Sequence, residues 1–355
     1  MTEQPPRTYI SELPRLVGQQ VTLKGWLYQK RSSGKIRFLV LRDGTGLVQG
    51  VMIKNQLPEP DFAAYDRLTL ESSLEVTGQV RAEPRAPGGY ELELQSVRPL
   101  QIAVDYPIAP KEHGIDFLLQ HRHLWLRSPR QQAIMRVRDE VARAAREFLA
   151  ARDFVLVDTP ILTPTACEGT TTLFETDYFG DRRAYLSQSG QLYLEAAAMA
   201  LGRVYCFGPT FRAEKSKTRR HLTEFWMLEV EVAFADLAEI MSLAEALLAY
   251  LVERVLTRRR SELTLLERPL APLEQIQLPF PRLSYTEAVA RLQAAGFNIS
   301  WGEDLGAPEE TWLSEAHTQP VLIHHYPKEC KAFYMKPDPR EPGTVLCVDI
   351  LAPEG

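Results

Sequence analysis

Five short β-type runs fill most of the first hundred residues, and this feature limits the fold more than any other. Each run is rich in Val, Leu, Ile and aromatic residues, and turn-forming sequences such as SSGK, DGTG and EPRAPGG separate them. The runs are VTLKGWLYQK, KIRFLVLRDG, GLVQGVMIK, LEVTGQVRAE and YELELQSVRPL. We therefore predict an all-β domain over residues 17–100.

Five strands of this length are typical of a small Greek-key barrel of the OB type. In such a barrel the face of strands 2 and 3 binds oligonucleotides. An SH3-like barrel or a sandwich without a nucleic-acid role has a similar number of strands. The strand count alone leaves these alternatives open.

The pattern changes in the second part of the chain. Residues 101–120 combine prolines, a glycine and mixed charge, and they predict a connection between two domains. Residues 131–152 then place apolar side chains at spacings of three and four, which predicts an amphipathic helix. The apolar stripe consists of Ile134, Val137, Val141, Ala144 and Phe148.

Strands and helices alternate in the remainder of the chain. Strands are predicted for FVLVDTPIL, YLSQS, RVYCFGPTF, EFWMLEVEVAF, PVLIHHYP and TVLCVDILAP. Pro160, which has no N–H donor, favours a strand edge or an interface. Helices are predicted for LAEIMSLAEALLAYLVERVL and for YTEAVARLQAAG, where Ser284 and Glu287 have capping-box spacing. This order predicts an α+β domain with a mostly antiparallel sheet flanked by helices.

Composition excludes several classes of protein. No apolar run reaches the roughly 18 to 20 residues that span a bilayer, and the N-terminus has no secretory signal pattern. The four cysteines form no CxxC pair, which argues against a zinc site or a disulfide framework. We expect a soluble cytoplasmic protein.

The net charge of −5 does not exclude nucleic-acid binding, because a local basic patch supplies phosphate contacts. Two basic clusters are present, although such clusters are more often solvated faces. They are Lys30, Arg31, Lys35 and Arg37 in the first domain, and Lys215, Lys217, Arg219 and Arg220 in the second.

The second basic cluster lies between two β-type runs, residues 204–211 and 224–234. The connecting loop places an arginine, a glutamate and a histidine beside a sheet surface, where these side chains can bind a polyanion. An ordinary charged hairpin fits the same charge pattern, so the pattern alone does not decide between the two.

The order of residues in FRAEKSKTRRHLTEF resembles motif 2 of the class II aminoacyl-tRNA synthetases, in particular the asparaginyl, aspartyl and lysyl subgroup. The resemblance implies that Arg212 binds the α-phosphate of ATP and stabilises the transition state. It implies that Glu214 accepts a hydrogen bond from the adenine amino group. His221 and Arg220 are expected at the γ-phosphate, and Phe225 is expected to stack on adenine. Positioning and positive charge provide most of the catalysis in such a reaction.

Other segments resemble this family in the same order. HRHLWLRSP with the following helix and Pro160 resembles motif 1, which implies a homodimer. CEGTTTLF resembles a loop that closes over the amino acid, so Glu168 is expected to bind the α-amino group. LSQSGQLYLEAAAMA resembles the lining of the amino-acid pocket, where Ser189 and Gln191 are expected.

The N-terminal barrel fits the same resemblance, which implies that Arg31, Phe38 and Gln49 read the anticodon of a tRNA. A phenylalanine on a strand face can stack on a base, and arginine and glutamine can bind unpaired base edges. Phe38 also fits a core position, since Ile36 and Val40 lie on the same strand face.

The choice between asparagine and aspartate depends on one pocket position. Aspartyl enzymes have a lysine after Gln-Leu-Tyr, and this chain has Leu194 there. A substrate carboxylate would lack a partner at that position, whereas a neutral amide would not. The resemblance therefore favours asparagine and tRNA(Asn), with Glu195 or Glu224 as an acceptor for the side-chain amide. An aspartyl enzyme, with or without specificity for one tRNA, is the first alternative.

The segment VLCVDILAPEG resembles the strand before the last catalytic segment of the family, and Asp349 matches a carboxylate that holds Mg²⁺ and ATP. We expect roughly the final fifth of a complete enzyme, including motif 3, to lie beyond this sequence. The 355 residues alone are then expected to bind ATP weakly and not to turn over.

The predicted organisation is an OB-fold anticodon-binding domain over 1–102, a connection over 103–120 and a class II catalytic domain over 121–355. Two further alternatives remain. One is a paralogue that has lost catalysis and binds RNA, and the other is an asparagine synthetase built on the same fold.

Overall fold

The computed structural model describes residues 5–109, 111–165, 173–180, 182–215 and 221–353. The chain divides into two compact units, Met1–Trp125 and Leu126–Gly355. Within the described ranges, no helix is both long and apolar enough to cross a bilayer.

The first unit contains a closed five-stranded barrel, which confirms the predicted OB-type architecture. Its strands pair in the order β1-β2-β3-β5-β4. The strands are β1 (Gln20–Ser33), β2 (Ile36–Arg42), β3 (Leu47–Ile53), β4 (Ser73–Ala82) and β5 (Tyr90–Gln101). Alternate residues of each strand point inward, so Leu39 and Leu41 are buried in the barrel core while Phe38 is not part of it. The core alternative for Phe38 is therefore wrong.

A helix between β3 and β4, α1 (Glu59–Arg67), was not predicted from the sequence. Two residues of the first basic cluster hold it in place. Lys30 donates hydrogen bonds from Nζ to the carbonyl oxygens of Tyr65 and Leu68 at 3.0 and 2.6 Å. Arg37 donates to the Phe62 carbonyl at 2.8 Å. Lys30 therefore binds the C-terminal end of α1, where the helix dipole is negative, and Arg37 binds the helix nearer its start.

Helices α2 (Ile115–Gln120) and α3 (Arg122–Trp125) complete the first unit. The second unit contains seven helices among its described residues. These are α4 (Pro129–Ala150), α5 (Gln191–Leu201), α6 (Leu237–Arg258), α7 (Arg260–Leu265), α8 (Ala271–Glu274), α9 (Tyr285–Ala294) and α10 (Ala307–Glu315). Ser284 and Glu287 form the predicted capping box at the start of α9.

The strands of the second unit form three small sheets in the described residues, where we had predicted one. The first sheet has the order β11 (Glu224–Val232), β10 (Arg203–Phe211), β6 (Val155–Leu156). The second is β7 (Leu162–Thr163), β9 (Arg182–Leu186), β8 (Glu175–Tyr178). The third is β12 (Arg282–Ser284), β13 (Val321–His324), β14 (Val348–Leu351). Pairing is mostly antiparallel, as predicted, with β6–β10 and β12–β13 parallel.

The predicted stripe on α4 is buried only in its second half. Ala144 and Phe148 are buried, and Phe148 packs against residues of β10, β11 and α6, whereas Ile134 is 39% exposed. Between these parts lies Glu140, which is fully buried. Its carboxylate pairs with Arg254 and Arg259, each at 3.2 Å. These ion pairs connect α4 to α6 and to Arg259, the residue between α6 and α7, and they compensate the charge of a buried carboxylate.

Candidate functional site

The β10–β11 hairpin has two faces with different partners. Antiparallel pairing is regular from Arg203 opposite Val232 to Phe211 opposite Glu224. Leu228 and Val230 point towards α4 and α6 and join the apolar core there. Phe225 and Glu229 lie on the opposite face, because successive residues of a strand alternate in direction. We refer to the Phe225–Glu229 face as the polar face.

The predicted motif 2 residues lie at the end of this hairpin where the connecting loop joins the two strands. Arg212 is half-buried, and its backbone N–H donates to the Thr223 carbonyl at 3.0 Å, which extends the hairpin by one pair. Phe225 is half-buried on the polar face, and Thr210 donates from Oγ1 to its carbonyl oxygen at 3.3 Å. Glu214 and His221 are exposed at the base of the loop. Arg220 lies outside the described residues.

The start of α5 is held against the polar face by Glu229. Its carboxylate accepts hydrogen bonds from the Ser189 hydroxyl and from the Gly190 backbone N–H, the latter at 2.8 Å. Ser189 Oγ in turn accepts from the backbone N–H of Gln191 at 3.1 Å. A side chain at Gly190 would lie 2.8 Å from the Cys206 sulfur, so only glycine fits this close approach. Glu229 therefore fixes the position of Ser189 and Gln191.

Negative charge accumulates on the same face. Burial raises the pKa of Glu231, and together with the nearby carboxylates of Glu195 and Glu229 it brings this pKa to about 7. Glu195 accepts a hydrogen bond from the Gln191 side-chain nitrogen at 3.0 Å, which fixes the direction of the Gln191 amide. These charged groups disfavour a further carboxylate beside them and tolerate a neutral amide.

Leu194, Glu224 and Glu168 are the other residues predicted to bind the amino acid. Leu194 is fully buried in a small apolar cluster with Ala198 and Val204. Glu224 belongs to the face of β11 that points towards α4, opposite to the face that holds Ser189. The strand alternation thus directs the Glu224 side chain away from Ser189. Glu224 is therefore not placed to accept a hydrogen bond from the side-chain amide of a substrate bound there. Glu168 lies outside the described residues.

Asp349 lies in a different sheet, on β14, opposite Ile323 of β13. Its Oδ2 is 2.8 Å from the Lys331 ammonium, and its side chain is 43% exposed. Within the described ranges, no group of three potential metal-ligating side chains occurs. Mg²⁺ commonly uses one or two carboxylates together with substrate phosphates and waters, so Asp349 fits as one ligand of such a set.

The three residues predicted to read an anticodon come together on the barrel. Arg31 lies with its guanidinium carbon 4.2 Å from the centre of the Phe38 ring and donates from Nη2 to Gln49 Oε1 at 3.0 Å. Gln49 donates from Nε2 to Glu91 Oε2 at 3.1 Å. The side chains form a connected row across β1, β2, β3 and β5, with a half-buried aromatic ring beside polar donors and acceptors.

Glu91, Glu229, Glu231 and Lys331 are absent from the sequence prediction. One signal could have identified two of them, because Glu229 and Glu231 alternate with apolar residues in LEVEV and must share a strand face. Glu91 becomes a neighbour of Gln49 only through the parallel pairing of β3 with β5. No local pattern indicates that pairing.

A closed OB barrel, followed by an antiparallel hairpin with Arg212 at the start of its connecting loop, defines a tRNA synthetase of class II. The chain belongs to the tRNA synthetases class II (D, K and N), whose family model matches residues 114–354. A second model, OB-fold nucleic acid binding domain, matches residues 21–100.

Relatives at high identity are asparagine–tRNA ligases. The ligase of Desulforamulus reducens is 59% identical, with 98% of this chain and 81% of the relative covered. The ligase of Pelotomaculum thermopropionicum is 58% identical with the same coverage. Among solved structures, the asparaginyl-tRNA synthetase of Pyrococcus horikoshii with asparaginyl-adenylate is 46% identical, with a TM-score of 0.93. That match covers 100% of this chain and 81% of the solved one.

Proposed function

We infer that the protein joins asparagine to tRNA at the expense of ATP. In the first step the asparagine carboxylate attacks the α-phosphorus of ATP, and pyrophosphate leaves. In the second step a ribose hydroxyl of the tRNA attacks the carbonyl carbon of the adenylate, and AMP leaves. The observation that carries this inference is the polar face of the hairpin, where Phe225 lies beside the loop that begins with Arg212 and Glu229 holds the start of α5.

The residues proposed for ATP are those of the hairpin and its loop. Arg212 binds the α-phosphate and stabilises the negative charge that develops there, which is a large term in reactions of this type. Phe225 stacks on adenine and Glu214 accepts from its amino group. His221 and Arg220 bind the γ-phosphate. Asp349 contributes one ligand to Mg²⁺, whose charge helps to neutralise the phosphates.

Three of the residues proposed for asparagine, Ser189, Gln191 and Glu195, lie around the start of α5. Glu168 binds the α-amino group, and Ser189 and Gln191 line the pocket. Glu195 serves as the acceptor for the side-chain amide, directly or through Gln191, with which it shares a hydrogen bond. Leu194 excludes aspartate by providing no positive charge, since an unpaired buried carboxylate costs several kcal/mol.

The first unit is proposed to bind the anticodon. Phe38 provides a stacking surface, and Arg31 and Gln49 bind base edges. We place the anticodon-binding domain at residues 1–102, the connection at 103–120 and the catalytic domain at 121–355. The protein is proposed to act in the cytoplasm as a homodimer that uses the segment around α4.

The test is ATP–pyrophosphate exchange with asparagine and with aspartate in parallel. In the full-length gene product we expect exchange that depends on asparagine and is far weaker with aspartate. Leu194→Lys should increase the ratio of aspartate-dependent to asparagine-dependent exchange, because a lysine can pair with the substrate carboxylate. Leu194→Met is the matched control, since it keeps the volume and adds no charge. Exchange with aspartate alone in the full-length gene product would move the assignment to an aspartyl enzyme, and the absence of exchange with both amino acids in that product would contradict the proposed activity.

A further inference from the structure

Lys331 is a partly buried cation directly beside Asp349, and nothing in the hairpin site requires it. Its side chain is 18% exposed, and its Nζ lies 2.8 Å from Asp349 Oδ2 and 3.8 Å from Asp304 Oδ1. The same nitrogen lies 3.9 Å from the centre of the Tyr326 ring. An aromatic face and two carboxylates therefore confine the ammonium to one place.

The surroundings of Lys331 are rigid. Tyr326 is 1% exposed and belongs to the apolar core formed with Val321 and Ile323. Asp349 is held on β14 by antiparallel pairing with β13, where it faces Ile323. A lysine stem packed between these elements loses more side-chain entropy than a surface lysine. Such a contact is better suited to orienting a carboxylate than a flexible surface ion pair is.

We propose that Lys331 is a positioning residue that orients the Asp349 carboxylate towards the metal–ATP complex. This inference rests on the proposed function, in which Asp349 is a ligand of Mg²⁺. A carboxylate has about four acceptor sites, and the ammonium occupies one of them. The Tyr326 hydroxyl also interacts with this carboxylate, and the 43% exposure of the Asp349 side chain leaves its other acceptor sites accessible from solvent. The ammonium also compensates the charge of Asp349, which otherwise repels the approaching triphosphate.

The test compares three variants in the same assays. Lys331→Met removes the charge and keeps most of the stem, whereas Lys331→Arg keeps the charge. Lys328→Met is the matched control, because Lys328 is exposed on the same surface segment, three residues earlier. For each variant we would measure asparagine-dependent pyrophosphate exchange against Mg²⁺ concentration. ATP binding would be measured by calorimetry with and without Mg²⁺.

For Lys331→Met we expect the Mg²⁺ concentration at half-maximal exchange to rise about 10- to 100-fold, the usual effect of removing a residue that orients a metal ligand. The maximal rate at saturating Mg²⁺ should change much less. Calorimetry should give a similar loss in affinity for ATP with Mg²⁺ and a smaller loss without it. Lys331→Arg should recover most of both losses, and Lys328→Met should match the unaltered protein.

Two results would overturn the proposal. An unchanged Mg²⁺ dependence in Lys331→Met would mean that Asp349 needs no orientation by this lysine. A lower Mg²⁺ requirement would mean that the ammonium competes with the metal. Failure of the underlying function is distinguishable, because the unaltered protein would then lack asparagine-dependent exchange altogether. A loss caused by unfolding would appear as a lowered thermal midpoint, and Lys331→Arg would still report on the charge.

Discussion

Replacing Glu231 by glutamine should stabilise the protein at neutral and alkaline pH. Glu231 is half-buried on β11, and burial together with Glu195 and Glu229 raises its pKa from the ordinary 4.5 to about 7. The folded protein therefore keeps the proton on Glu231 up to a higher pH than the unfolded chain does. Glutamine has the same shape, carries no charge and removes this difference.

The sign and the size of the stabilisation expected for Glu231→Gln follow from proton linkage. A carboxyl whose pKa is raised by folding costs nothing below pH 4.5, and its cost grows as the pH rises towards 7. The full difference between the two pKa values corresponds to about 3 kcal/mol. Because the side chain is only partly buried, solvent screening reduces this cost, and we expect about 1–2 kcal/mol at pH 8.

Urea unfolding at pH 5 and at pH 8 measures this effect. Glu231→Gln should unfold at a higher urea concentration than the unaltered protein at pH 8 and at a similar concentration at pH 5. Glu224→Gln, on the opposite face of the same strand, is the control. If Glu231→Gln raised the stability equally at pH 5 and at pH 8, the linkage argument would be refuted, because the gain in stability would not depend on ionisation of Glu231. Exchange activity would show whether the added stability reduces asparagine binding.

Two further predictions test the barrel and the α4 ion pairs. Phe38→Ala should weaken tRNA binding by about 1–3 kcal/mol, measured by filter binding, and leave asparagine-dependent pyrophosphate exchange unchanged. Ile36→Ala on the same strand is its control, and equal losses in both variants would argue against stacking. Glu140→Gln should destabilise the protein by about 3–5 kcal/mol in urea, because two guanidinium groups lose a buried partner. Asp139→Asn, whose ion pair with Arg143 is on the surface, should cost less than about 1 kcal/mol.

The predicted basic clusters illustrate the limits of charge patterns. Lys30 and Arg37 were grouped with Arg31 because they are close in sequence, but they bind the carbonyl oxygens of α1. Arg31 instead lies on Phe38. Side chains on one strand alternate in direction and meet different neighbours, so proximity in sequence does not make a common patch.

The sequence by itself determined the elements whose signal is local. Strand alternation located the barrel strands and the β10–β11 hairpin, and helical spacing with a cap located α9. The order of residues around Arg212 indicated the family. These features depend on residues a few positions apart, where periodicity and turn chemistry act directly.

The tertiary structure decided which of these residues meet. Pairing of β3 with β5 brings Gln49 to Glu91, 42 positions away, and the register of β11 directs Glu229 rather than Glu224 to Ser189. Packing of β14 against β13 places Asp349 within reach of Lys331. Strand order and register result from burying the whole apolar surface at once, so no short segment of sequence specifies them.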